Sequence, residues 1–167
     1  MTVERIDPPF IADERASLRA WLEFHRATLL WKCEGLDEAG LKARPLATSM
    51  MSLHGLVRHL AEVERNWFRI VLAGEGIDWL YGDDDHPDGD FELTAEADWT
   101  VDVAAWVSEC EHSRRLEEAA PSLDVTGLRH EQPVDLRWIM VHMIEEYARH
   151  NGHADVIREL VDGTVGD

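Results

Sequence analysis

Basic residues are scarce in this chain. Its 167 residues carry 16 Lys and Arg against 34 Asp and Glu, a formal charge of −18 with nine histidines counted neutral. Such an acidic excess repels nucleic-acid phosphates and anionic membrane surfaces, so both are excluded as partners, and the excess reads as a solubility device. Cysteine is scarcer still. Cys33 and Cys110 are the only two, both in helical patterns and without metal-type spacing. That is too few for a disulfide framework and points to a reducing, cytoplasmic setting. No apolar run approaches the ~20 residues that a membrane helix needs. The N-terminal MTVERIDPPF places acids and a Pro pair where a secretory signal would have an apolar core. Convincing strand patterns and internal repeats are missing as well.

What the chain does have is helical periodicity. The first long helix is expected from about Asp13, a plausible N-cap, to Gly35. Leu18, Trp21, Leu22, Leu29 and Leu30 form its apolar face, with Arg15, Arg19, Glu23 and Arg26 opposite. A short helical turn is expected at 37–42. Ser49 or Ser52 then caps a second long helix over about 52–73, whose stripe is Leu53, Leu56, Leu60, Val63, Trp67, Ile70 and Val71. His59 lies on that stripe, while His54 falls on its less apolar flank. Residues 74–98 read as a solvated acidic loop whose Trp79, Tyr81 and Phe91 pack onto the body; Pro87 spoils the alternation of acids that a calcium loop needs. Thr94 or Thr100 opens a third helix running to about Ala120, striped by Val103, Val107, Cys110 and Leu116, and Pro121 ends it. A loop at 122–134, with a short extended piece at 124–126, leads to a fourth helix that Asp135 caps and Gly163 ends. Four long amphipathic segments predict one all-α domain over 1–167, a four-helix bundle with long connections.

The functional signal is a conflict inside the fourth helix, in VHMIEEYARHNGHADVIRE at 141–159. Leu136, Ile139, Met140 and Met143 lead into its core stripe and Ile157, Leu160 and Val161 lead out. Steps of three and four between them land on Glu146, His150, and His153 or Ala154. Ionisable groups in core seats are costly unless paired, hydrogen-bonded or bound to metal. Glu146 and His150 stand one turn apart, the ligand spacing of an HExxH helix, and His59 is the inward histidine of the second helix. A bundle core is where such groups converge on a metal. His, Glu and His on zinc would leave a fourth position open, which is the catalytic pattern; nickel or iron would tolerate the same set. His153 stands as an alternative ligand to Glu146. His142 and Arg149 are candidates for a supporting role. His86, His112 and His130 read as surface, Cys33 as packing, and the tryptophans as core, with Trp67 placed to line a pocket.

The segments SLHGLVRHLAEVERNWF and LRWIMVHMIEEYARHNGHADVIREL resemble the DinB-like superfamily. They are most similar to its actinobacterial branch of mycothiol-dependent maleylpyruvate isomerases and mycothiol S-transferases. The resemblance covers nearly the whole chain. It implies a four-helix bundle, with His59, Glu146 and His150 as the ligands of a divalent metal, most simply zinc, and mycothiol as co-substrate. The isomerases carry a further C-terminal domain, so the expectation here is a thiol S-transferase acting on a small electrophile, in detoxification, with a homodimer left open. Two alternatives stand beside it: a metal-dependent hydrolase on the same three ligands, and a non-catalytic, stress-related metal-binding bundle.

Overall fold

Helix starts are written in Asp and Ser side chains. The computed structural model of the chain describes residues 4–92 and 97–166. Its five α-helices are α1 (Glu14–Cys33), α2 (Glu38–Lys42), α3 (Leu53–Glu64), α4 (Trp99–Ala119) and α5 (Leu136–Asp162). Asp13, Asp37, Ser52, Asp98 and Asp135 cap them in turn, each side chain accepting an amide hydrogen from the first turn. Asp98, rather than Thr100, begins the third long helix; Thr94, the other residue expected there, lies outside the described residues. The backbone continues past α3 as a π-helical segment, Arg65–Leu72, which Gly74 closes at φ +67°.

The four long helices form the expected bundle, α1 lying along α5 and α3 along α4, with α3 also against α5. Leu22, Leu29, Leu56, Leu60, Ile139 and Met143 fill its centre.

Several faces differ from the apolar pattern. On α4 the buried residues are Asp102, Trp106, Glu109, Cys110, Ser113 and Glu117, while Val107 is 38% exposed. The acids are inside because arginines and a histidine from neighbouring segments meet them. Asp102 pairs with His54 and Arg58, Glu109 with Arg65 and Arg69, and Glu117 with Arg15 and Arg19. His54 is therefore fully buried rather than on a flank. Arg26, expected at the surface, is buried against Glu64. Its Nε and Nη2 donate to the two carboxylate oxygens, each at 2.7 Å. Tyr147 and Ser113 also donate to Glu64, at 2.8 and 2.5 Å. Trp21 is 45% exposed instead of packed.

The 122–134 loop holds an antiparallel hairpin where only a short extended piece was expected. β1 (Thr126–Arg129) pairs with β2 (Gln132–Asp135), Thr126 opposite Asp135 and Arg129 opposite Gln132. His130 and Glu131 turn the corner at φ 47° and 65°, the left-handed pair that a two-residue hairpin needs. Gly127 sits directly on the end of the π-helical segment. A Cβ there would lie 2.0 Å from the Val71 carbonyl oxygen, so no other residue fits without moving the hairpin.

Candidate metal centre

α3 and α5 cross so that His59, Glu146 and His150 face one another. The π-helical segment begins nearly two turns beyond His59, at Arg65, and leaves His59 in regular α-helix. On α5 the deepest seat goes to Tyr147, which leaves Glu146 on the flank, half-buried, and His150 just inside the bundle. One donor atom from each of the three lies within 4.8 Å of the others. His150 Nε2 is 3.4 Å and His59 Nε2 is 3.9 Å from the same oxygen, Glu146 Oε2. Donors on a tetrahedral ion with bonds of 2.0–2.1 Å stand about 3.4 Å apart. The two donor pairs through Glu146 are thus within about half an ångström of what such an ion needs.

The decisive support for His59 comes from a residue that helical spacing did not single out. Asp90, buried at the end of the acidic loop, holds His59 Nδ1 at 2.6 Å. That bond gives Nδ1 a hydrogen and leaves Nε2 facing Glu146 and His150 as the nitrogen that would bind a metal once it loses its proton, the second-sphere arrangement of metal-binding histidines. Phe91 stacks on the same ring at 5.0 Å. The loop is itself strapped down. Arg58 donates to the carbonyls of Gly89 and Asp90, at 2.9 and 3.0 Å, and Glu62 accepts the amides of Leu80 and Tyr81. The loop is therefore acidic and exposed over 83–88 but tied down at Leu80 and Tyr81 on one side and at Gly89 and Asp90 on the other. No spacing rule ties Asp90 to His59, and the packing of Phe91 was the only hint.

Electrostatics follow the geometry. Burial opposes charge on His59, but its bonds to Asp90 and Glu146 and their negative charges prevail and raise its pKa to about 9. Glu146 is held well below the usual carboxylate range, mainly by its hydrogen bonds with His150 and His59. His142 Nε2 lies 3.4 Å from the other oxygen, Glu146 Oε1. Burial lowers the pKa of His142 despite Glu146 and Glu145. Its ring stacks on Trp138 at 4.9 Å and meets Trp67 edge-on at 4.6 Å. Arg149 turns away, exposed and paired with Glu145. His153 stands behind His150, its Nδ1 3.3 Å from His150 Nδ1, so among the described residues it backs that ring rather than joining the three donors. His142, Glu145 and Glu146 form a second, more exposed grouping. His86 and His130 are exposed, and His112 is half-buried with Nδ1 on the Ser108 carbonyl.

A model of the mycothiol-S-transferase family matches residues 17–163. The chain belongs to that family. The match runs from the first turn of α1 to the glycine that closes α5, and so encloses the donor triad, the Asp90 strap and the hairpin of this mycothiol-S-transferase family member. No curated protein sequence matches the chain.

On the reading of these three donors as a metal site, Asp90→Ala is expected to weaken zinc binding by roughly 10- to 100-fold. The measurement is competition against a chromogenic chelator. Asp90→Asn, which keeps a hydrogen-bond acceptor, is expected to fall between the two.

Proposed function

We propose that the protein is a metal-dependent thiol S-transferase, in which His59, Glu146 and His150 hold zinc and mycothiol supplies the sulfur. The observation that carries this reading is the convergence of three donors from two helices in a chain of the mycothiol-S-transferase family. When bound, the metal supplies the positive charge that brings a coordinated thiol to its thiolate, well below the ~8.5 of a free cysteine. Glu146 makes that centre one unit less positive than three histidines would, which leaves the sulfur more nucleophilic. Asp90 keeps His59 oriented and able to spread positive charge to a carboxylate. In the transfer the S–H proton passes to solvent, an S–C bond forms, and the leaving group departs with its bonding pair; on a conjugated alkene a proton is added to carbon instead and nothing departs. The electrophile is a small molecule, and the role is detoxification in a reducing, cytoplasmic setting. The free, buried Cys33 and Cys110 suit that setting. Burial pushes the Cys33 thiol to about 12, so neither its place nor its protonation suits a nucleophile.

The test is zinc-loaded protein given mycothiol and an alkylating electrophile, with thioether formation followed by mass spectrometry. Thioether at a rate that falls to background on chelation is the expected result. Ester or amide hydrolysis without thiol consumption would overturn it in favour of hydrolysis.

Metal uptake carries a pH signature. With its pKa near 9, well above the ordinary 6.5, His59 is protonated at neutral pH in the metal-free protein, and the metal must displace that proton. Zinc binding at pH 7 is expected to release about one proton from this residue, and apparent affinity to climb with pH until about 9. Calorimetry in two buffers of different ionisation heat reads the proton directly. In the metal-free protein the same pairing stabilises the fold fully below about pH 6.5, and this stabilisation is lost as pH rises through about 9.

A further inference from the structure

Against the hairpin, with Trp138 two turns of α5 before Glu146, lies a cavity of about 490 Å³ lined by Trp67, Trp138, Arg129, Gln132 and Asp135, among others. That is a volume suited to a small ligand. Two indoles 5.0 Å apart and inclined at 50° form its apolar wall. Trp138 is 48% exposed, a large apolar surface left uncovered at the cavity mouth. The polar rim is mixed in character. Arg129 lies over the Trp67 ring at 4.5 Å, and neither it nor the Gln132 side chain has a hydrogen-bond partner among the described residues. Asp135 uses one oxygen to cap α5 and leaves the other 3.9 Å from Arg137. The rim thus offers donors from Arg129, an acceptor from Asp135, and both from Gln132. An anionic group would meet Asp135 and the acidic surface of the chain. A purely apolar ligand would strand three polar groups. Hydroxyls donate and accept, and the C–H face of a saturated ring lies well against an indole.

We propose that this cavity binds a polyhydroxylated ring, the sugar portion of a thiol whose sulfur reaches the His59–Glu146–His150 centre. The inference rests on the thiol-transfer reading and adds the part of the substrate that sets its selectivity. Reach supports it. Trp138 precedes Glu146 by eight residues on α5, about 12 Å along the axis at ~1.5 Å per residue. His142 stands between them, its ring on both tryptophans and its Nε2 on Glu146. A ligand seated on the indoles therefore passes over His142 to the metal side, a span that suits an elongated sugar-thiol and leaves cysteine alone at one end.

The experiment uses the full-length, zinc-loaded protein and glucosaminyl-inositol, the sulfur-free sugar half of mycothiol, as probe in titration calorimetry. Wild-type protein is expected to bind it and to be inhibited by it competitively against mycothiol. Trp138→Ala is expected to weaken that binding at least tenfold and to raise the KM for mycothiol more than it lowers kcat, with zinc content unchanged. Gln132→Ala, at an exposed strand position, keeps the test decisive if Trp138→Ala fails to fold; a loss of about fivefold is expected. Wild-type protein that ignores the sugar half, or binding indifferent to both substitutions, overturns the inference even where mycothiol is turned over. Tighter binding of an anionic peptide thiol such as glutathione overturns it too. Sugar binding that is lost in Trp138→Ala upholds the cavity assignment even if no thiol transfer is found, so the two readings fail separately.

Discussion

His150→Ala is expected to yield a folded bundle that retains no stoichiometric zinc and transfers thiol at least a thousandfold more slowly. His150 lies at the edge of the core, and its ring touches His59 at 4.5 Å between centroids and His153 at 5.3 Å. Its removal leaves His59 and Glu146 as two donors, and two donors on neighbouring helices hold a divalent ion far more weakly than three. The loss of a charge that supplies several kcal/mol to the transition state corresponds to at least three decades in rate. Glu146→Gln separates charge from coordination. The amide oxygen can still face the metal, but without the negative charge, so zinc retention is expected to fall less than activity. Metal content, helix content by circular dichroism and single-turnover rate decide the matter together. Full activity in a metal-free His150→Ala sample would remove the metal from the mechanism.

The largest stability effect is expected far from that centre. Arg26→Ala leaves the Glu64 carboxylate buried with only neutral donors, Tyr147 and Ser113, and a distant thiol. Breaking a buried pair on one side costs about 3–5 kcal/mol. For a chain of this size that corresponds to a fall in melting temperature of roughly 10 °C or more. Arg19→Ala is the control. It removes a contact of 2.6 Å to Glu117, but the arginine is 48% exposed, so a change of under about 1 kcal/mol is expected. The double replacement Arg26→Met with Glu64→Leu is expected to cost less than Arg26→Ala, because no charge is then stranded. Thermal melts of the four proteins measure this. A drop after Arg19→Ala as large as after Arg26→Ala would show that burial does not govern these pairs.

The helices were legible because their starts and apolar stripes are local. Asp13, Ser52 and Asp135 announce caps, and Leu53, Leu56 and Leu60 repeat at helical steps. Faces made of paired charges were not legible. Glu109 and Glu117 resemble surface residues until Arg65, Arg69, Arg15 and Arg19 arrive from elsewhere. The π-helical segment also shifts the phase of the stripe. The expected stripe through Leu60, Val63 and Trp67 takes in Ile70, which is half-buried, and omits Phe68, which is 1% exposed. At the candidate metal centre, the one-turn spacing of Glu146 and His150 was visible in the chain. Asp90 was not, since it comes to His59 through a loop and 31 positions of sequence.

The seating of the hairpin divides the molecule into parts that tolerate change differently. Gly127 rests on bare backbone, so that end of the ribbon is fixed in place. His130 at the corner and Gln132 beside it line the cavity, and the positive φ of His130 and Glu131 restricts what can replace those two. On the proposed reading, selectivity among thiols can diversify by variation at Gln132 while the helices that carry His59, Glu146 and His150 stay untouched. A mutagenesis library aimed at altered thiol preference belongs at Gln132, should limit positions 130 and 131 to residues that tolerate a positive φ, and should hold position 127 constant.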